Sequence, residues 1–364
     1  MSPLANGLPD FPWDRIAAAG DVARKHPDGI VDLSIGTPVD DTPEVITAAL
    51  AAAANAPGYP TAAGLIELRQ AWVSWASRIL SAELNIDQVV PSIGSKEIVA
   101  WLPVVFGLNA SSTVAIPELA YPTYAVGALM ANAKYVTYKQ ASDIPDSADL
   151  IWVNSPSNPT GEVLTVNQLK EIVARGRELS APVVSDECYI ELGWEAQPIS
   201  ILDPRVCGTD FTGILAVHSL SKRSNLAGYR SGAVLGDAKL IADVVGLRKH
   251  AGMLVSTPVQ LATVAALGDD AHVAVQKARY AKRRDVLHTA LISAGFKIEH
   301  SQAGLYLWAT NGTDCLETVN WLAEKGILAA PGDFYGPAGQ RHVRLALTAT
   351  DERIASAAAR LSGI

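Results

Sequence analysis

Lys222 lies four residues past the apolar run GILAVH, inside SLSKRSNLAGYR, with Ser219 three positions before it and Arg230 eight after. A lysine amine has a reference pKa of about 10.4 and is a poor nucleophile near neutral pH until it is desolvated or set beside another cation. A Schiff base with an aldehyde removes that difficulty. Two more polar groups follow apolar runs in the same way: Asp186 ends APVVSD, and Asn158 follows IWVN in the turn SPSNPTG. Singly, each has an ordinary use, Asn158 as a turn former, Asp186 as a cap, Lys222 and Arg230 as solvated charges. In this order, each at the end of a separate strand, they describe one crevice.

A lysine for an aldehyde, a carboxylate for a protonated ring nitrogen and a cradle for a phosphate are the needs of pyridoxal phosphate. The segment SIGSKEIVAWLPVVFG (92–107) is a small-residue turn entering a helix, so the backbone N–H groups of Gly94, Ser95 and Lys96 can face an anion at the positive helix end. Ser219 adds a hydroxyl, and Arg230 a fixed positive charge suited to a phosphate.

The elements that must position these groups are legible as short apolar runs: TVAIP (113–117), DLIWVN (149–154), APVVSDE (181–187), GILAVHS (213–219) and SGAVLG (231–236) read as buried strands. Between them lie helical patterns such as 165–180, where Val166, Leu169, Ile172 and Val173 make one apolar face. The alternation implies an α/β fold with a mainly parallel sheet, whose ligands bind beyond the carboxyl ends of the strands. From Asp237 to about Gly268 the pattern is helical with a break at Pro258, followed by a long basic helix (272–295). FKIEH, GLYLWAT and RHVRLAL around the helix ETVNWLAEKG then read as a smaller α+β unit. The expected division is an N-terminal arm and small-domain segment over 1–40, a large domain over 41–250 and a C-terminal small domain over 251–364.

Composition narrows the function classes. The chain is 49% hydrophobic and 18% charged, with a formal net charge of −8, which argues against nucleic acid as a partner. Cys188, Cys207 and Cys315 show neither disulfide-framework nor zinc spacing, so a reducing, cytoplasmic location and no metal are expected. No apolar run reaches the roughly 18 residues of a membrane span, and MSPLANGLPDFPWDR lacks the features of a signal peptide. The alanine-rich stretch PEVITAALAAAANAPG reads as a soluble helix.

With these motifs in view, the sequence resembles the class I/II pyridoxal-phosphate aminotransferases of fold type I. The resemblance runs through LSIGTPVDDTP, GYPTAAGLIELRQAW, SIGSKE, YPTY, NSPSNPTGEV, SDECY, SLSKRSNLAGYRSG, GLYLW, APGDFYG and VRLAL. Ser231, where most members carry an aliphatic residue, departs from the pattern outside the chemistry. By this resemblance Lys222 carries the cofactor, Asp186 pairs with the ring nitrogen, Asn158 and Tyr189 bond the phenolic oxygen, and Tyr121 stacks on the ring. Ser95, Lys96, Ser219 and Arg230 match the phosphate site. Tyr59 matches a tyrosine that reaches the partner subunit's phosphate, which implies a homodimer with shared active sites. Gly36, through its backbone, and Arg344 match the grip on the substrate carboxylate. Independently, the alternation in HVRLAL sets Arg344 on the strand face opposite Val343, Leu345 and Leu347.

Within the family the sequence is most similar to actinobacterial-type succinyldiaminopimelate aminotransferases. That likeness implies exchange between glutamate and N-succinyl-2-amino-6-oxopimelate in lysine and diaminopimelate synthesis, with Arg223 and Lys25 as possible donors to remote carboxylates and a solvent-facing role as the default for both. Rival readings are an aspartate, aromatic or kynurenine aminotransferase and a carbon–sulfur β-lyase. A transcription regulator with an aminotransferase-like domain is disfavoured, because only about 35 residues precede LSIGTP and the charge is acidic.

Overall fold

The computed structural model describes residues 7–9 and 12–363, so most of the expected start of the N-terminal arm, MSPLAN, lies outside the described residues. After β1 (Val31–Asp32), seven strands form the large sheet: β2 (Val89–Ile93), β3 (Thr113–Pro117), β4 (Lys134–Tyr138), β5 (Ala148–Asn154), β6 (Val183–Asp186), β7 (Ile214–Ser219) and β8 (Ser231–Gly236). Their order is β2-β8-β7-β6-β5-β3-β4. Every pairing is parallel except those of β8, which runs antiparallel to both β7 and β2. SGAVLG is therefore the exception to the parallel expectation, and the reason is local. Residues 220–230 are too few for the dozen-residue crossover that a parallel return needs, so the Lys222 segment is a tight connection between antiparallel neighbours.

β7 and β8 are buried at every position, as in sheets covered on both faces. The strand period of two sends alternate side chains to separate cores. In β5, Ile151 and Val153 join a cluster with Trp72, Trp75 and Leu169, whereas Leu150 and Trp152 join one with Ile98, Val99 and Tyr124. The helix Thr257–Leu267 packs into the first of these through Ala262, Ala266 and Leu267. The expected break at Pro258 falls instead at 252–256, between the helices Ala238–Ala251 and Thr257–Leu267. Pro258 stands in the first turn of the second helix, where its missing N–H loses no hydrogen bond.

The 23-residue helix Ala271–Ser293 leads to a four-stranded antiparallel sheet. It contains β9 (Lys297–Glu299) and β10 (Tyr306–Thr310); β11 (Ile327–Leu328) lies outside it, and β12 (Ala330–Pro331) and β13 (Val343–Ala346) complete it. β11 pairs in parallel with β1, which joins residues 31–32 to the C-terminal part. Val31, Leu33, Leu307, Val343, Leu345 and Ile354 share this third core. Among the described residues, no helix is long and apolar enough to cross a membrane.

Candidate active site

Three neighbouring strands of the large sheet end in polar residues: Asn154 on β5, Asp186 on β6 and Ser219 on β7. Beyond these ends lies a cavity of about 300 Å³, at the small end of the range for small-molecule sites. Lys222, Asp186, Asn158, Tyr189 and Tyr121 line it, as do Ser95, Lys96, Ser219 and Arg230. Gly36, in the loop after β1, and Arg344, on β13, also line it. Tyr59 is not brought to this wall; it is fully exposed on the loop before the helix Ile66–Trp75. Gly94 lies behind the wall, under Arg230.

The short helix Leu220–Arg223 carries Lys222 into the cavity. Burial pulls the lysine amine below its ordinary range; Arg230 and Arg344 push the same way, while Tyr306 and Cys188 oppose. Asp186 is the converse case. Burial pushes its carboxyl up, against hydrogen bonds from Cys188 and Tyr124 that favour the anion. The Tyr124 hydroxyl donates to Asp186 Oδ2 at 2.9 Å, and the Cys188 N–H to Oδ1 at 3.3 Å. A cation brought to this carboxylate would relieve the cost of its burial. Tyr121 is pushed up to about 12 by burial, so its phenol stays neutral.

Ser219 and Arg230 are each held by local hydrogen bonds. Ser219 caps the lysine helix, accepting from the Ser221 N–H at 3.1 Å and donating to Ser221 Oγ at 2.7 Å. Arg230 has φ +59° and donates to Ala227 O at 2.8 Å and Ile93 O at 3.3 Å. This folds its guanidinium over the first turn of the helix Gly94–Val105. Gly94 has φ +66°, and any side chain there would collide with the Arg230 guanidinium. Only glycine satisfies both demands.

At the other end Arg344, 3% exposed, lies 3.8 Å over the Tyr306 ring and 5.0 Å from that of Tyr335. Its Nη2 donates to Ser34 O at 2.6 Å and its Nη1 to Asn158 Oδ1 at 2.8 Å. Arg344 Nε is buried and finds no acceptor among the described residues. Each Nη keeps a second hydrogen after these bonds, and a guanidinium fork suits a carboxylate. The hydroxyls of Tyr189 and Tyr306 stand 3.2 Å apart, and a side chain at Gly36 would overlap the Tyr306 hydroxyl.

Several lining residues escape a reading of the sequence. Asn154 ends β5 as Asp186 ends β6, so its strand-end position was an available signal. Its Oδ1 accepts from the Asn158 N–H at 2.7 Å and its Nδ2 donates to Asp186 O at 2.8 Å, locking two loops together. Ser221, Cys188 and Tyr306 depend on folded register and carry no such signal. Of the two possible donors to remote carboxylates, Lys25 keeps the solvent-facing place expected by default, and Arg223 departs from it. Arg223 is buried in an ion pair with Glu191 at 2.5 Å, and Lys25 is exposed beyond the helix Ala17–Arg24. Neither lines the cavity.

The donor set fits pyridoxal phosphate: a buried amine, a buried carboxylate lacking a full counter-charge, a glycine-floored arginine at a helix N-terminus, and an aromatic wall at Tyr121. Among the described residues no group of three His, Cys, Asp or Glu side chains could hold a metal.

Comparison with known proteins agrees with this geometry. Residues 28–361 match the family model for aminotransferase class I and II. A probable aminotransferase of Mycobacterium tuberculosis is 55% identical over 99% of this chain and 86% of its own. The 4-dedimethylamino-4-oxo-anhydrotetracycline transaminase of Streptomyces rimosus is 53% identical over 98% of this chain and 99% of its own. A solved structure, a probable N-succinyldiaminopimelate aminotransferase from Thermus thermophilus, superposes with a TM-score of 0.87. It is 26% identical and covers 97% of this chain and all of the other.

Proposed function

This chain belongs to the class I and II aminotransferases, pyridoxal-phosphate enzymes of fold type I, and we propose that it moves an amino group from glutamate to N-succinyl-2-amino-6-oxopimelate. When bound, the cofactor supplies an electron sink for the substrate's α-carbon. Asp186 would keep a proton on the ring nitrogen, and Asn158 and Tyr189 would hold the phenolic oxygen. Arg230, Ser219 and the N–H groups of Ser95 and Lys96 would hold the phosphate, and Tyr121 would offer its ring to the cofactor's. Arg344 and the Gly36 backbone hold the substrate carboxylate. The Lys222 amine, pulled below its ordinary range by burial, would take the proton from the substrate's α-carbon onto Nζ and hold it there for return.

The observation that carries the substrate reading is the charge of the wall. Lys222, Arg230 and Arg344 are assigned to the cofactor and the α-carboxylate, which leaves, among the described residues, the Lys96 side chain as the lining cation available to a further negative group on the substrate. The Thermus relative, by its name a probable N-succinyldiaminopimelate aminotransferase, supports the same choice. A second acceptor is favoured by the Streptomyces relative, which by its name acts on an oxo group of a tetracycline ring. We read the chain as dividing at 40 and near 250, with the helix Thr257–Leu267 packed back on the large core. We also read it as a cytoplasmic homodimer in which Tyr59 serves the partner's site. The deciding experiment supplies glutamate with each acceptor in turn and measures 2-oxoglutarate. Turnover with the succinylated amino-oxopimelate well above that with oxaloacetate, phenylpyruvate or the oxo-tetracycline supports the proposal, and the reverse ranking overturns it. Pyruvate and ammonia formed from a β-thio-substituted alanine such as cystathionine, with no keto-acid acceptor and with release of the thiol, would identify a β-lyase instead.

A further inference from the structure

The loop from Ser34 to Thr42 forms one wall of the cavity through Ile35, Gly36 and Thr37. Its first end is fixed to the strand that carries Arg344. The Ala346 N–H donates to Leu33 O at 2.8 Å, Arg344 Nη2 to Ser34 O at 2.6 Å, and the Thr348 hydroxyl to Ile35 O at 3.3 Å. The far end has little apolar anchorage, since Val39 is 49% exposed. Asp40 holds it instead. Arg283 Nη2 donates to Asp40 Oδ1 at 2.6 Å, and Arg283 Nη1 and Gln276 Nε2 donate to Oδ2 at 2.8 and 2.7 Å.

The same two donors reach further. Gln276 Oε1 accepts from Asn225 Nδ2 at 3.0 Å, and Asn225 lies three residues past Lys222. Asn225 Nδ2 also donates to Asp41 O at 3.1 Å, and the Thr42 hydroxyl donates to Asn225 O at 3.1 Å. Arg283 Nε donates to Asp351 Oδ1 at 2.6 Å, where the chain leaving β13 enters the helix Asp351–Ser362. Gln276 and Arg283 stand about two turns apart on the helix Ala271–Ser293. The loop, the lysine turn and the exit of the Arg344 strand thus meet on one helix.

Burial by itself would raise the Asp40 carboxyl, yet the bonds from Arg283 and Gln276 outweigh it and hold the group below the usual range. Arg283 is 4% exposed and Asp40 13%. A planar guanidinium donates to a carboxylate in few orientations, so this pair constrains how the loop sits on the helix.

We infer that Asp40, Gln276 and Arg283 are positioning residues that set the spacing between the Gly36 loop and the Lys222 turn, so that a substrate carboxylate on Arg344 presents its α-carbon to the lysine amine. The inference rests on the aminotransfer proposed above. It has a signature that general loosening lacks: only substrates that use the carboxylate grip should notice.

The test is a single-turnover reaction of the pyridoxal-phosphate-loaded enzyme, followed by visible absorbance, with glutamate and with butylamine, which has no carboxylate. Asp40→Asn should lower the second-order rate constant with glutamate about tenfold and Gln276→Leu about threefold, with butylamine rates within about twofold of the parent. Equal slowing of both amines, or unchanged glutamate rates in both variants, overturns the inference. If Asp40→Asn fails to fold, the comparison in Gln276→Leu, which leaves the Asp40–Arg283 pair intact, decides it alone. A parent enzyme inert to glutamate contradicts the aminotransfer itself, whereas a reactive parent with unselective variants contradicts only the positioning role.

Discussion

Arg344 Nη1 donates to Asn158 Oδ1 at 2.8 Å, across 186 positions of sequence. The group assigned to the substrate carboxylate and one assigned to the cofactor oxygen are therefore a single bonded unit joining the two sheets. Replacing Asn158 by Ala should raise the KM for glutamate, not merely loosen the cofactor. The expected rise is about tenfold, the value of one charge-assisted hydrogen bond. Steady-state kinetics at saturating pyridoxal phosphate checks this; an unchanged KM would show that Arg344 does not depend on Asn158.

Arg344→Lys retains the charge but loses the fork and its stacking on Tyr306. We expect kcat/KM for glutamate to fall by about a hundredfold or more, while the visible spectrum of the bound cofactor is unchanged. A spectrum altered to the same degree as the kinetics would move Arg344 from substrate binding to general architecture.

Much of this was legible before folding. Lys222, Asp186, Asn158 and Ser219 were visible because each follows an apolar run, and strand ends in a parallel sheet share an edge. The alternation around Arg344 likewise gave its face, although all four residues of β13 are buried. What the sequence withheld was set by pairing. The direction of β8 depends on a connection length, the role of Tyr306 on the register that brings it beneath Arg344, and the burial of Arg223 on its partner Glu191. Gly94 and Gly36 were chosen as backbone contacts, yet each also makes room for a specific side chain, which no local pattern encodes.

Glu187 gives a pH prediction independent of catalysis. Burial pushes its carboxyl up to about 7, against opposing bonds from the Ile201 N–H, Ser200 and Ser185, and with a small further rise from Asp186. His218 Nε2 stands 3.5 Å from Glu187 Oε2, and burial pulls that imidazole down to about 3, so it stays neutral through the range of interest. A carboxyl that holds its proton more tightly when folded contributes stability that is complete below the unfolded value and is lost as pH rises through the folded one. A rise from 4.5 to about 7 corresponds to roughly 3 kcal/mol. Glu187→Gln, which mimics the protonated group, should therefore melt higher than the parent at pH 8 and converge with it toward pH 5. Parallel melting profiles across that window would refute the assignment.

Tyr59 is fully exposed, with Val39, Val45 and Ile66 also exposed on the same stretch of chain. If the partner's site uses Tyr59, Tyr59→Phe should weaken pyridoxal-phosphate affinity about fivefold to tenfold through one lost hydrogen bond. Parent activity should also fall on dilution below the dimer dissociation constant. Undiminished cofactor affinity together with concentration-independent activity would leave the site complete within one chain.

The central claim is that the Lys222 amine holds pyridoxal phosphate and moves the substrate's proton. It is tested most directly by the visible spectrum of purified parent and Lys222→Ala proteins, recorded before and after glutamate. The parent should show the absorbance of lysine-bound pyridoxal phosphate and lose it with glutamate, whereas the variant should lack that band and be inactive in turnover. A Lys222→Ala protein that keeps both the band and turnover would contradict the account.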